Sequence, residues 1–150
     1  MNAFNRSSCL RAGLIAFLAL GILGPAMAQR KPTTPEELKH YDEVFMEEVR
    51  KGDLLFHGDP AMSKKMGVTM STTGTACAMC HPMASDTHPG SFPKFQPSMG
   101  RFVVVRDMVN WCIGNVTKGV PLSSDSDAMK ALEAYIYWSN SGSVLDTGKY

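Results

Sequence analysis

Cys77-Ala78-Met79-Cys80-His81 decides how this chain is read. Two cysteines two residues apart can each form a thioether to a haem vinyl group, and the adjacent histidine is then held beneath the iron as proximal ligand. A thioredoxin-like redox pair would need βαβ surroundings, and half of a zinc site would need a second Cys/His pair downstream; neither pattern is present. The expectation is one covalently attached haem c, bound through Cys77 and Cys80 with His81 on the iron, in an all-α domain.

Haem attachment of this kind belongs to exported proteins, and the first residues agree. Asn5-Arg6 and Arg11 make a positive start, Leu14 to Leu23 an apolar run, and Ala26-Met27-Ala28 a small-residue cleavage site. Residues 1–28 are therefore expected to be a cleaved signal peptide, with a periplasmic product and no stable membrane insertion afterwards. Cys9 leaves with it and, preceding the apolar run, is not placed as a lipid acceptor. The whole chain has 15 basic and 14 acidic residues. Losing Arg6 and Arg11, and no acid, leaves 13 and 14 over 122 positions, enough for one small domain. Near-neutral charge and the lack of a basic arm exclude an electrostatic case for nucleic acid. The partners expected are a redox protein or a small molecule.

Working outward from the motif, Thr34-Pro35-Glu36-Glu37 reads as a capping box with proline at the first helical position. Leu38, Tyr41, Phe45 and Val49 then recur at helical spacing and are read as core, and Lys51–Phe56 follows or continues the helix. Ser124-Asp125-Ser126 caps a second helix whose buried stripe is Met129, Leu132, Tyr135 and Ile136, closing before Gly142. Residues 58–75 read as loop, with Met62, Met66 and Met70 as flexible cover for an apolar surface; soft Cu(I) is the alternative use of such methionines. Phe92-Pro93-Lys94-Phe95-Gln96-Pro97 reads as an irregular loop around the haem edge.

The second axial position determines what a haem c does. Once Cys77 and Cys80 are used, one thiol, Cys112, remains after signal removal. Val105, Met108 and Cys112 fall on one helical face, which is expected to point inward. Cys112 can equally be a buried inert thiol or form an intermolecular disulfide. Met99, between Pro97 and Gly100, is the fallback ligand, with Met108 second and His88 third; Met129 lies on a packing stripe, and Met83 is too near His81 in sequence. Trp111 reads as a core aromatic or a shield beside Cys112.

The chain resembles class I c-type cytochromes, in which an N-terminal helix with a Gly-x-x-x-Phe element crosses a C-terminal helix rich in aromatics. Gly52 with Phe56, and Tyr135 with Trp138, occupy the matching places. This resemblance implies a compact all-α haem fold over residues 42–141, with residues 29–41 an N-terminal helical extension and 42–150 the monohaem domain.

A narrower resemblance covers residues 74–142. It runs through His88-Pro89-Gly90-Ser91-Phe92-Pro93, then Arg106 to Cys112, then Ser126 to Ile136. These segments are similar to the haem domains of the Sox complex A subunit and of thiosulfate dehydrogenases. In those families a cysteine roughly thirty residues beyond the haem motif is an axial ligand, preceded by an Asn-containing stretch and followed by a Gly-x-Pro-Leu-like turn. Cys112 and Gly119-Val120-Pro121-Leu122 match, which implies Cys112 as distal ligand.

That implies electron transfer linked to inorganic sulfur oxidation, with another cytochrome or a catalytic subunit as partner. The alternative is an enzyme subunit that oxidises thiosulfate or a related sulfur anion with Cys112 at the iron; a haem sensor is a weaker third reading. Relatives usually carry two haem domains or pair with a second haem subunit, whereas this chain has one haem motif. Arg101 and Arg106 stand near the site in sequence, as candidates for a sulfur anion or for haem propionates.

Overall fold

A computed structural model describes residues 33–148. The signal pattern of residues 1–28, with Cys9, and positions 29–32 lie outside the described residues.

The capping box opens helix α1, Pro35–Phe56. The Glu37 N–H donates to Thr34 Oγ1 at 3.2 Å, and the Thr34 N–H donates to Glu37 Oε2 at 2.8 Å. The helix runs unbroken through Lys51–Phe56, and the expected boundary at 41/42 falls within it. Gly58, at φ +77°, turns the chain away.

One expectation fails along α1. Of Leu38, Tyr41, Phe45 and Val49, Val49 alone is buried; Leu38 is 57% and Tyr41 55% exposed. The cause is length. With 22 residues α1 is about 33 Å long, whereas its partner α5, Asp127–Ser139, with 13 residues, is about 20 Å long. The first turns of α1 therefore overhang, and helical spacing there marks an apolar stripe without a core behind it.

The two helices cross where Gly52 meets α5. A Cβ at Gly52 would run into the Ala131 carbonyl and lie 2.8 Å from Tyr135 Cβ, so glycine is what allows the backbones this close. Phe56, 2% exposed, packs edge-on against Tyr135 with ring centroids 5.4 Å apart, and Tyr135 stacks on Trp138 at 6.3 Å. Met129, Leu132 and Ile136 carry the expected stripe of α5 into the core, while Tyr135 stays half-buried at the crossing.

Residues 58–75 are not all loop. Asp59 caps α2, Pro60–Lys65, its Oδ1 accepting from the Met62 N–H at 2.6 Å. An Asp-Pro pair followed by a short polar run is a start signal too brief for periodicity to reveal. Met70 is buried, and Met62 and Met66 pack against the core, the cover role expected of them.

The haem motif forms the one-turn helix α3, Cys77–Cys80. After two short 3-10 turns comes a hairpin where an irregular loop was expected. Its strands are β1, Lys94–Gln96, and β2, Arg101–Val103, paired antiparallel with Phe95 opposite Phe102. Alternation over three residues is too short to read as a strand; here it puts Phe95 and Phe102 outward, 60% and 64% exposed, and buries Val103. Helix α4, Val105–Asn115, follows; Asp107 opens it by accepting from the Val104 N–H at 3.0 Å. Chain 140–148 folds back on chain 84–91. Asn140 Nδ2 donates to the Ala84 carbonyl at 3.1 Å, and the N–H groups of Asp146 and Gly148 donate to the carbonyls of Gly90 and Ser91. Among the described residues no helix is long and apolar enough to cross a membrane. The architecture is all-α, with one small two-stranded hairpin.

Candidate functional site

A cavity of about 320 Å³ opens beside α3, lined mostly by apolar side chains. Phe56 comes from α1, Leu132 and Ile136 from α5, and Val105, Val109 and Ile113 from α4. These are the residues that close the core, so the cavity is an open part of the core itself.

Cys77, Cys80 and His81 all line it. The single turn of α3 ends as the His81 N–H donates to the Cys77 carbonyl at 2.9 Å, and His81, as C-cap, leaves helical geometry. Cys112 lines the same cavity from α4, with Met108 one turn before it, as the face of Val105, Met108 and Cys112 predicts. Burial pushes the Cys77 thiol up to about 11, with the charge of Cys112 adding to the effect. Burial raises Cys112 as well, with Cys80 the second cause. Burial thus favours the neutral thiol at both Cys77 and Cys112; a thioether would consume the first, and a metal ion, were one bound at the second, would favour its thiolate.

The backbone around Cys112 is fixed by side chains. Asn110 Nδ2 donates to the Leu122 carbonyl at 2.8 Å, and the Leu122 N–H donates to Asn110 Oδ1 at 2.7 Å. This pair of hydrogen bonds ties α4 to the Gly119-Val120-Pro121-Leu122 turn. The turn lies against chain 69–73: Thr117 Oγ1 donates to the Met70 carbonyl at 2.6 Å, and Val120 N–H to that of Thr69 at 2.8 Å. A Cβ at Gly119 would collide with those two carbonyls. Asn110 and Gly119 stood out in the sequence for their match to a pattern; their bonding to Leu122 and chain 69–73 was not foreseen.

Other candidates are sorted by position. Met108 and His88 line the cavity, and Met99, the fallback, does not. Met99 closes the 3-10 turn Pro97–Met99 at the tip of the hairpin, whose cavity-facing positions are Lys94 and Gln96. Met129 is fully buried in α5 and Met83 is 66% exposed. Arg106 is held in a two-pronged pair with Glu133, Nε–Oε1 3.0 Å and Nη2–Oε2 2.8 Å, joining α4 to α5; that partner also raises its pKa. Arg101 pairs with Asp107 at 3.3 Å. Neither arginine lines the cavity, and neither does Trp111, which is half-buried. Lys94, Gln96 and Thr75 are polar wall residues, and a three-residue strand left no period in the sequence by which the first two could be found.

A flat apolar macrocycle with two thioether anchors at one edge suits this wall: paired cysteines, a histidine beside them, and apolar helix faces around. What folds around the motif is a c-type cytochrome domain of the class I kind. The chain belongs to the SoxA/TsdA cytochrome c domain family, whose description matches residues 64–145, more than half of it. Covalently bound haem c follows from that membership. Among solved structures, thiosulfate dehydrogenase (TsdBA) from Marichromatium purpuratum in its as-isolated form superimposes with a TM-score of 0.54 at 19% identity. The match covers 81% of this chain and 26% of that one, so this chain spans about a quarter of its length, and the likeness speaks for the fold. No curated protein matches the chain.

Proposed function

We propose that this is a periplasmic monohaem c-type cytochrome, ligated by His81 and Cys112, that carries electrons in thiosulfate oxidation. The observation behind this reading is that Cys112 lines the same cavity as Cys77, Cys80 and His81, on a helix pinned two residues earlier through Asn110. The signal pattern in residues 1–28 supports the periplasm, and the single haem motif supports one haem.

Bound haem c supplies a one-electron couple, and thiolate ligation stabilises its ferric state, giving a low potential. Coupling two thiosulfates removes two electrons, so a second redox centre has to be met on a partner, another cytochrome or a catalytic subunit. Cys112 is half-buried rather than sealed, which favours a second reading in which its sulfur meets the sulfur anion directly.

The test is the low-temperature EPR spectrum of the ferric protein beside its Cys112→Met variant, both checked for covalent haem. A low-spin thiolate signature, lost in the variant, is expected; an unchanged spectrum would remove Cys112 from the iron and bring Met108 or His88 forward. Thiosulfate turnover by the purified protein with an artificial acceptor would select the enzyme reading. Oxidation and reduction by a partner cytochrome alone would select the carrier.

A further inference from the structure

We infer that Lys94 is the residue that holds a haem propionate, and that its ammonium is set for this by Ser91 and Phe92. The inference rests on the haem c that family membership establishes. Haem carries two carboxylates on the edge of the macrocycle remote from its vinyl groups. Because Cys77 and Cys80 fix the vinyl edge, the carboxylates point to a different part of the wall. An ionised carboxylate at the mouth of an apolar cavity requires a cation or several donors.

Among the described residues that line the cavity, Lys94 is the one lysine or arginine. Arg101 and Arg106, the two arginines that stand before Cys112 in sequence near the site, are engaged with Asp107 and Glu133 outside it. Lys94 is oriented rather than neutralised. Its Nζ donates to Ser91 Oγ at 3.2 Å and stands 4.6 Å from the centroid of the Phe92 ring. Ser91 is itself 1% exposed, and its hydroxyl donates to the His88 carbonyl at 2.8 Å. A hydroxyl and a ring face leave the positive charge and two of the three N–H donors of Lys94 for an anion. The neighbouring wall residue Gln96 has an amide N–H committed to Ser98 Oγ at 3.0 Å. Strand β1 presents Lys94 and Gln96 to the cavity because Phe95 between them faces out.

The arrangement has a consequence for the substrate. With Lys94 engaged by the cofactor, no lining lysine or arginine of the described residues is left for a doubly charged sulfur anion, and a partner would have to bring that cation.

The test is the resonance Raman spectrum and midpoint potential of the haem-loaded protein and of Lys94→Met and Lys94→Arg. Absorption and mass would first show that each carries covalent haem. In Lys94→Met the propionate-bending band is expected to move, and the ferric-to-ferrous ratio at a fixed ambient potential to rise about threefold to tenfold, as loss of one nearby positive charge implies. Lys94→Arg should restore both. One result would overturn the inference: a propionate band unmoved in loaded Lys94→Met, even with a changed potential; if addition of thiosulfate to the parent shifts the spectrum and this shift is also lost in the variant, Lys94 belongs to the sulfur anion instead. Should Lys94→Met fail to load, Lys94→Gln is read by the same band.

Discussion

Asn110 shows how one side chain can set the position of another in the cavity wall. Both of its amide groups are spent on the backbone of Leu122, so α4 cannot rotate or slide without breaking two hydrogen bonds. Asn110→Ala leaves a half-buried N–H and C=O unpaired at Leu122. The expected cost is about 1–3 kcal/mol, read as a lower denaturation midpoint with unchanged covalent haem; equal stability would show that the clamp is dispensable. That Cys77, Cys80, His81 and Cys112 share one cavity was legible in the sequence, the first three from a motif few other roles need and Cys112 from its place on one helical face with Val105 and Met108. Met99 misled because Pro and Gly mark a turn without saying which way its side chains face, and the hairpin turns them from the cavity.

Among the elements, the α1–α5 crossing was readable from Gly52, Phe56 and Tyr135, whose types and spacing are hard to satisfy another way. Gly52→Ala places a methyl group against the Ala131 carbonyl, which is backbone and cannot rotate aside. A loss of about 1–3 kcal/mol or more is expected, the range for overpacking. Thermal unfolding of the haem-loaded variant measures it, and a melting temperature equal to that of the parent would mean that the helices can separate at little cost. The overhang of α1 was hidden because Leu38 and Tyr41 repeat as faithfully as buried residues do. Periodicity names a face and leaves open whether a partner helix is long enough to cover it. Helix α2 and the hairpin escaped for a different reason: segments of six and three residues are too short for any period to register.

For the whole molecule, the governing fact is that the cavity and the core are one. Phe56, Leu132, Ile136 and Ile113 serve both. Emptying an apolar space of about 320 Å³ would cost up to about 8 kcal/mol on the scale of buried-cavity substitutions, as much as the entire stability of many domains. A Cys77→Ala/Cys80→Ala variant, unable to hold haem covalently, is therefore expected to lose cooperative unfolding and near-ultraviolet dichroism. A sharp transition at the parent temperature in haem-free protein would contradict this. A motif can reveal that a haem is bound, but not that the haem completes the core, since that depends on what fills the space between helices.

The backward fold of residues 140–148 sets an order of events. Asn140 is 56 positions beyond Ala84, the residue whose carbonyl it holds, and Asp146 and Gly148 secure Gly90 and Ser91 from farther along still. During synthesis, the segment just after the haem motif thus waits for its fastening until the end of α5 has appeared. Thr87 and His88 of the cavity wall lie in that segment, so this side of the cavity is fixed in place only once the C-terminal stretch has folded back over it.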